Sequence, residues 1–125
     1  MRQKIELEYV LNCSPKAIFS RLSTPEGLNE WFADKVEAEK DIFTFTWDKV
    51  ESKAKLYFKE FRFVKFEWLG LKDTNTNYFE FQISVHELTN DLALIITDFA
   101  DTEEQEDTIS LWDAQITELK RILGI

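Results

Sequence analysis

Residues 102–124 are TEEQEDTISLWDAQITELKRILG, and the rest of the chain must pack around them. Ile109, Trp112, Ile116, Leu119 and Leu123 recur at steps of three and four, which puts them on one face of a helix of period 3.6. Asp113, Gln115, Glu118 and Lys120 fill much of the other side. Glu103, Glu104, Glu106 and Asp107 lead the helix and Lys120 and Arg121 close it, the order that the helix dipole favours. Thr102 and Gln105 have capping-box spacing, and Gly124 stands where a left-handed cap ends a helix. The stretch therefore predicts one amphipathic helix over about 103–123, roughly 30 Å long, enough to cross a small domain. Everything upstream must supply the apolar surface that this helix covers.

At the N-terminus, Ile5, Leu7, Tyr9 and Leu11 alternate with Lys4, Glu6, Glu8 and Val10, a half-buried strand over about 3–11. Ser14 and Pro15 then form a cap and a first helical residue, with Pro15, Ile18, Phe19 and Leu22 as the buried face. Thr24 and Pro25 repeat the arrangement and open a second short helix that runs through Leu28 to Trp31 and Phe32. From Asp34 the period changes to two. Strands are predicted at about 35–39, 42–47, 50–58, 62–69, 77–86 and 92–98, joined by short polar turns as an antiparallel meander. Asn90 and Asp91 tolerate positive φ and predict a two-residue hairpin that pairs Thr89 with Leu92 and Val85 with Ile96. Phe81, Ile83 and Val85 then share a face with Leu92, Leu94 and Ile96. At Lys59 and Glu60 a two-residue loop would turn Lys65 and Glu67 inward. An odd-length loop keeps Val64, Phe66 and Trp68 inward beside Ala54, Leu56 and Phe58.

A chain of 125 residues predicts a single domain over 1–125. Its 24 acidic against 15 basic residues give a net charge of -9, a field that repels nucleic-acid phosphate and anionic lipid. No apolar run is long enough for a membrane span. A single cysteine, Cys13, excludes an internal disulfide, and the N-terminus lacks the basic-then-apolar pattern of a signal peptide, so a cytoplasmic location is expected. Aromatic residues reach 14%, including eleven Phe and four Trp, and rings of that size must either interlock or leave room for a guest.

Strand, two short helices, meander and long C-terminal helix is the helix-grip order, an α+β fold in which a curved antiparallel sheet of six or seven strands wraps the last helix. Ser14-Pro15, Ile18-Phe19, Leu22 to Leu28 and Trp31-Phe32 resemble the N-terminal signature of the START-like, Bet v-like (SRPBCC) superfamily. Phe66-Glu67-Trp68, the strand from Leu92 to Phe99, and Trp112, Leu119 and Leu123 are similar to one branch of it. That branch contains the C-terminal domain of the activator of the heat-shock ATPase chaperone. The resemblance covers nearly the whole chain and departs at Lys40-Asp41, where the family often has glycines before the third strand. It implies a cavity between sheet and helix that holds a hydrophobic or amphipathic small molecule.

Trp31, Phe45, Trp47, Phe66, Trp68, Phe81 and Trp112, with Ile96 and Ile116, are the candidates to line such a cavity; the same residues can equally fill a core. Cys13 and His86 are single residues in different elements and form no catalytic pair. No acid-base constellation is visible, and lone carboxylates such as Glu67 or Asp98 could be catalytic only in a register other than the one proposed. One His and one Cys cannot build a zinc site, the acidic cluster around Asp101 lacks the spacing of a calcium loop, and no cofactor is expected. Binding is thus expected over catalysis. A protein-interaction module, using the acidic surface or a sheet edge as the chaperone-activator relatives imply, is the alternative. A cyclase- or hydrolase-like enzyme is the third reading. The partners considered are a hydrophobic ligand, a protein and a second copy of the chain.

Overall fold

The computed structural model describes residues 2–70 and 76–125. Among these, β1 (Arg2–Leu11), β2 (Lys35–Glu39), β3 (Ile42–Trp47), β4 (Val50–Lys59), β5 (Phe63–Trp68), β6 (Tyr78–Val85) and β7 (Leu92–Asp101) form one antiparallel sheet. Its order is β1-β7-β6-β5-β4-β3-β2. Two short helices, α1 (Pro15–Ser23) and α2 (Pro25–Asn29), connect β1 to β2, and a 3-10 turn at Thr102–Glu104 leads into α3 (Gln105–Leu123). This is the helix-grip arrangement.

Local chemistry sets the two short helices. Ser14 Oγ accepts the Ala17 N–H at 3.1 Å and Thr24 Oγ1 accepts the Gly27 N–H at 3.0 Å, each just before a proline that needs no amide partner. Gly27 lets the pair close on each other. A Cβ there would lie 2.1 Å from the Ser20 carbonyl oxygen and 2.6 Å from Arg21 Cα. At the far end of the chain, Gly124 adopts φ 75°, and the Gly124 and Ile125 amides donate to the Arg121 and Lys120 carbonyls at 3.2 and 3.0 Å. The start of α3 differs from the expected capping box. Neither Asp101 nor Glu104, the residues that precede the 3-10 turn and α3, makes a side-chain capping bond. Gln105 instead donates through Nε2 to Gln3 Oε1 at 2.8 Å, tying the helix to β1.

The hairpins settle the register. Lys59 pairs with Phe63 and Phe58 with Val64, so the loop between β4 and β5 is odd, with Phe61 at φ 63° and the Arg62 N–H donating to the Lys59 carbonyl at 2.9 Å. Leu56 then faces Phe66 and Ala54 faces Trp68 on the inner side. Between β6 and β7 the expected pairing is corrected: Val85 pairs with Leu92, not with Ile96. The loop is longer than two residues because its backbone satisfies itself. The Asn90 N–H donates to the His86 carbonyl at 2.8 Å and the His86 N–H to the Asp91 carbonyl at 2.9 Å, with Asn90 at φ 60°. The slip is an even number of residues, so the inner face keeps Phe81, Ile83, Leu92, Leu94 and Ile96. Lys40, where the family often has glycine, takes φ 57° and leaves the β2–β3 pairing regular.

On the outer face Lys65 Nζ sits 4.3 Å from the centre of the Tyr78 ring, and Lys55 lies opposite Glu67. The core lies between the inner face of the sheet and the helices. Trp112, Ile116 and Leu119 are the buried residues of α3, and burial of each side chain contributes roughly 1.5–3 kcal/mol. Ile18 and Leu22 of α1 and Leu28 of α2 close the other side. No helix among the described residues is long and apolar enough to cross a membrane.

Candidate functional site

Phe32, directly after α2, organises one end of the core. Its ring lies 5.2–5.7 Å from those of Phe45, Trp47, Phe79 and Trp112, stacked on Phe79 and edge-on to Phe45 and Trp47. Its carbonyl oxygen accepts from both Trp47 Nε1 at 3.0 Å and Gln115 Nε2 at 2.9 Å. One backbone oxygen therefore fixes an indole from β3 and an amide from α3 in the same neighbourhood.

A cleft of about 590 Å³ opens beside this cluster. It lies under the N-terminal half of α3, at the end of the sheet where β3, β5 and β7 finish and β1 and β6 begin. A twisted sheet diverges from a straight helix away from their closest contact, and here the side chains do not fill the gap. Its apolar wall is made by Phe32, Trp47, Trp68, Phe79, Trp112 and Leu111. Trp47 and Trp68 lie 6.3 Å apart at 63° and Trp68 and Phe79 5.3 Å apart at 41°, with Phe79 itself stacked on both Phe32 and Phe66. Arg2, Asp98, Asp101, Glu104, Thr108 and Gln115 supply the polar side.

Asp98 occupies an inner-face position of β7. Its Oδ2 accepts the Trp112 indole N–H at 2.9 Å and its Oδ1 accepts the Phe99 N–H at 2.8 Å. Burial raises its carboxyl above the ordinary range, against the opposing pull of the Trp112 and Phe99 donors and the nearby Arg2 charge. Arg2 Nη1 donates to Asn77 Oδ1 at 2.9 Å and Nη2 to the Phe99 carbonyl at 3.0 Å. Nearer the middle of α3, Tyr9 donates to Asp113 Oδ1 at 2.5 Å, and burial with the adjoining carboxylate raises the phenol's pKa.

Of the residues expected to line a cavity, Trp47, Trp68 and Trp112 border the cleft. Trp31, Phe45, Phe66, Phe81, Ile96 and Ile116 lie in the packed core instead, with Trp31 donating its indole N–H to the Arg21 carbonyl at 2.9 Å. Sequence reasoning missed Phe32, Phe79, Arg2, Leu111 and Gln115, and took Asp98 only as a lone carboxylate. The available signal for Asp98 was parity: it continues the inward series Leu92, Leu94, Ile96, where a charged residue interrupts an apolar stripe. Cys13 is half-buried ahead of α1, and burial pushes its thiol pKa up, away from a reactive thiolate. His86 lies in the β6–β7 loop, where Nδ1 accepts the Leu88 N–H at 3.3 Å.

Residues 1–125 match the START-like superfamily domain, and the chain belongs to that superfamily. It is 39% identical to the Bacteroides fragilis protein BfR322, covering 99% of this chain and 93% of that one, with a TM-score of 0.69 between the folds. The solution structure of the Aha1 dimer from Colwellia psychrerythraea is similar at a TM-score of 0.79 with 17% identity, over 98% of this chain and 97% of that one. DynU16, from the dynemicin biosynthetic locus, matches at 0.75 with 10% identity over 97% of this chain and 47% of its own. The last two likenesses show the fold alone. No curated protein matches the chain significantly.

Proposed function

We propose that this protein binds an amphipathic small molecule in the cleft under the N-terminal half of α3, its apolar body against the indole and phenyl rings and its polar end toward Asp98. The observation that carries the reading is the cleft itself. Its volume of about 590 Å³ suits a small organic ligand, and rings held by their own hydrogen bonds line one side while a few polar groups converge on the other. Preorganised rings lose little entropy when a guest arrives. Apolar surface buried there contributes about 25 cal/mol per Å², a term that salt hardly changes. The single-domain organisation over residues 1–125 belongs to the same proposal.

A neutral fluorescent probe, N-phenyl-1-naphthylamine, tests this. The expected result is saturable uptake at one site that persists in high salt and is abolished by Thr108→Trp, which places an indole in the cleft without touching the core. Absence of saturable uptake, or uptake that Thr108→Trp leaves unchanged, would remove the reading and leave the protein-interaction module in its place.

A further inference from the structure

We infer that the cleft selects organic ammonium ligands over carboxylate ligands of the same size and shape, with Asp98 as the principal counter-charge and Glu104 assisting at the rim. The inference rests on the proposed binding function and names the chemical class that this site takes.

Two independent features point the same way. The first is the aromatic wall. Trp47 and Trp68, half-buried at the ends of β3 and β5 with centroids 6.3 Å apart, line the cleft, and an indole carries electron-rich ring faces. A cation above such faces is attracted by the ring quadrupoles, most strongly by tryptophan, whereas an anion is repelled. The second is the placement of the charged groups. Asp98 is the carboxylate that the fold carries inward beside these rings, and each of its oxygens accepts one bond within the protein, from Trp112 and from Phe99. A carboxylate offers about four lone-pair sites, so capacity remains for an incoming N–H. The guanidinium of Arg2, the only basic side chain among the described lining residues, donates to Asn77 and to the Phe99 carbonyl. Among the described lining residues an incoming carboxylate would therefore meet three acidic side chains, Asp98, Asp101 and Glu104, against one guanidinium. The net charge of -9 over the whole chain adds a long-range field of the same sign.

The experiment compares 2-naphthylmethylamine with 2-naphthylacetate by calorimetric titration at neutral pH and low salt, with N-phenyl-1-naphthylamine as the neutral reference. The expected result is an amine that binds at least about tenfold more tightly than the acid, the factor that one hydrogen bond to a charged group typically supplies. Asp98→Asn should remove most of that preference, read as the ratio of amine to acid affinity within the variant. A melting curve establishes that the variant is folded. If it is not, Glu104→Gln, at an exposed rim position, is read instead, and an unchanged preference there overturns the assignment. A preference below tenfold in the native protein, or one that survives a folded Asp98→Asn, also overturns it, while uptake of the neutral probe leaves the binding function standing. Failure of all three compounds to bind removes the binding function and this inference with it.

Discussion

Trp112→Ala probes the packing that holds the sheet and α3 together. The indole is 5% exposed, its ring centre lies 5.7 Å from those of Phe32 and Phe81 and 6.1 Å from that of Phe79, and its N–H reaches the Asp98 carboxylate at 2.9 Å. Truncating a buried Trp to Ala costs about 3–5 kcal/mol through lost transfer energy and the cavity left behind. Trp112→Phe separates the two contributions, because it keeps a ring against Phe32 and Phe81 but removes the donor. Leaving Asp98 without that charge-assisted bond should cost about 1.5–3 kcal/mol. For a chain of this length, 1 kcal/mol shifts the melting temperature by roughly 3–5 °C, so Trp112→Ala should lower it by roughly 10–20 °C and Trp112→Phe by about half as much. Denaturant melts followed by circular dichroism give both free energies. A loss below about 1 kcal/mol for Trp112→Ala would mean that α3 does not pack on the sheet as described.

Three further predictions follow from single positions. Gly27→Ala places a Cβ 2.1 Å from the Ser20 carbonyl oxygen and should destabilise by about 1–3 kcal/mol in denaturant melts, whereas a neutral result would refute the tight α1–α2 approach. Asp48 and Lys49 adopt φ 49° and 67° between paired Trp47 and Val50, a type I′ turn, so Lys49→Gly should stabilise by about 0.5–1 kcal/mol; a loss of stability would contradict that turn. The Asp98 carboxyl is raised above its ordinary value of 3.8, chiefly by burial. A folded state that holds the proton more tightly than the unfolded chain has this contribution in full below the unfolded pKa and loses it as pH rises through the folded one. Asp98→Asn should therefore gain stability relative to the native protein as pH rises from acid to neutral. Melts that show a flat or opposite trend would contradict the burial of that carboxylate.

Much of the fold was legible because local chemistry and global pattern agreed. Ser14-Pro15 and Thr24-Pro25 mark helix starts that need no tertiary information, and the loop between Lys59 and Phe63 was fixed by refusing to turn Lys65 inward. The β6–β7 pairing was misjudged because Asn90-Asp91 satisfies a hairpin rule locally. A six-residue loop that bonds its own backbone competes with that hairpin and preserves the same faces, so hydrophobic alternation cannot tell them apart. The Thr102–Gln105 capping box failed for a different reason, since Gln105 has a partner in Gln3, which no local pattern reveals. The site was harder still. Which rings border a void depends on where the sheet parts from the helix, so Trp47 and Trp68, at the ends of β3 and β5, reach the cleft while Phe45 and Phe66, two residues earlier, are sealed. Periodicity places all four on one face and does not distinguish them.

A ligand site at the Trp47, Trp68 and Trp112 end of the core should be visible in the four indole N–H signals of a proton–nitrogen correlation spectrum. Trp31 serves as the internal reference, since its indole N–H donates to the Arg21 carbonyl in the packed core, outside the cleft lining. On titration with N-phenyl-1-naphthylamine, the Trp47, Trp68 and Trp112 signals should shift together with one dissociation constant while Trp31 moves least. Four unmoved signals, or a shift largest at Trp31, would contradict it.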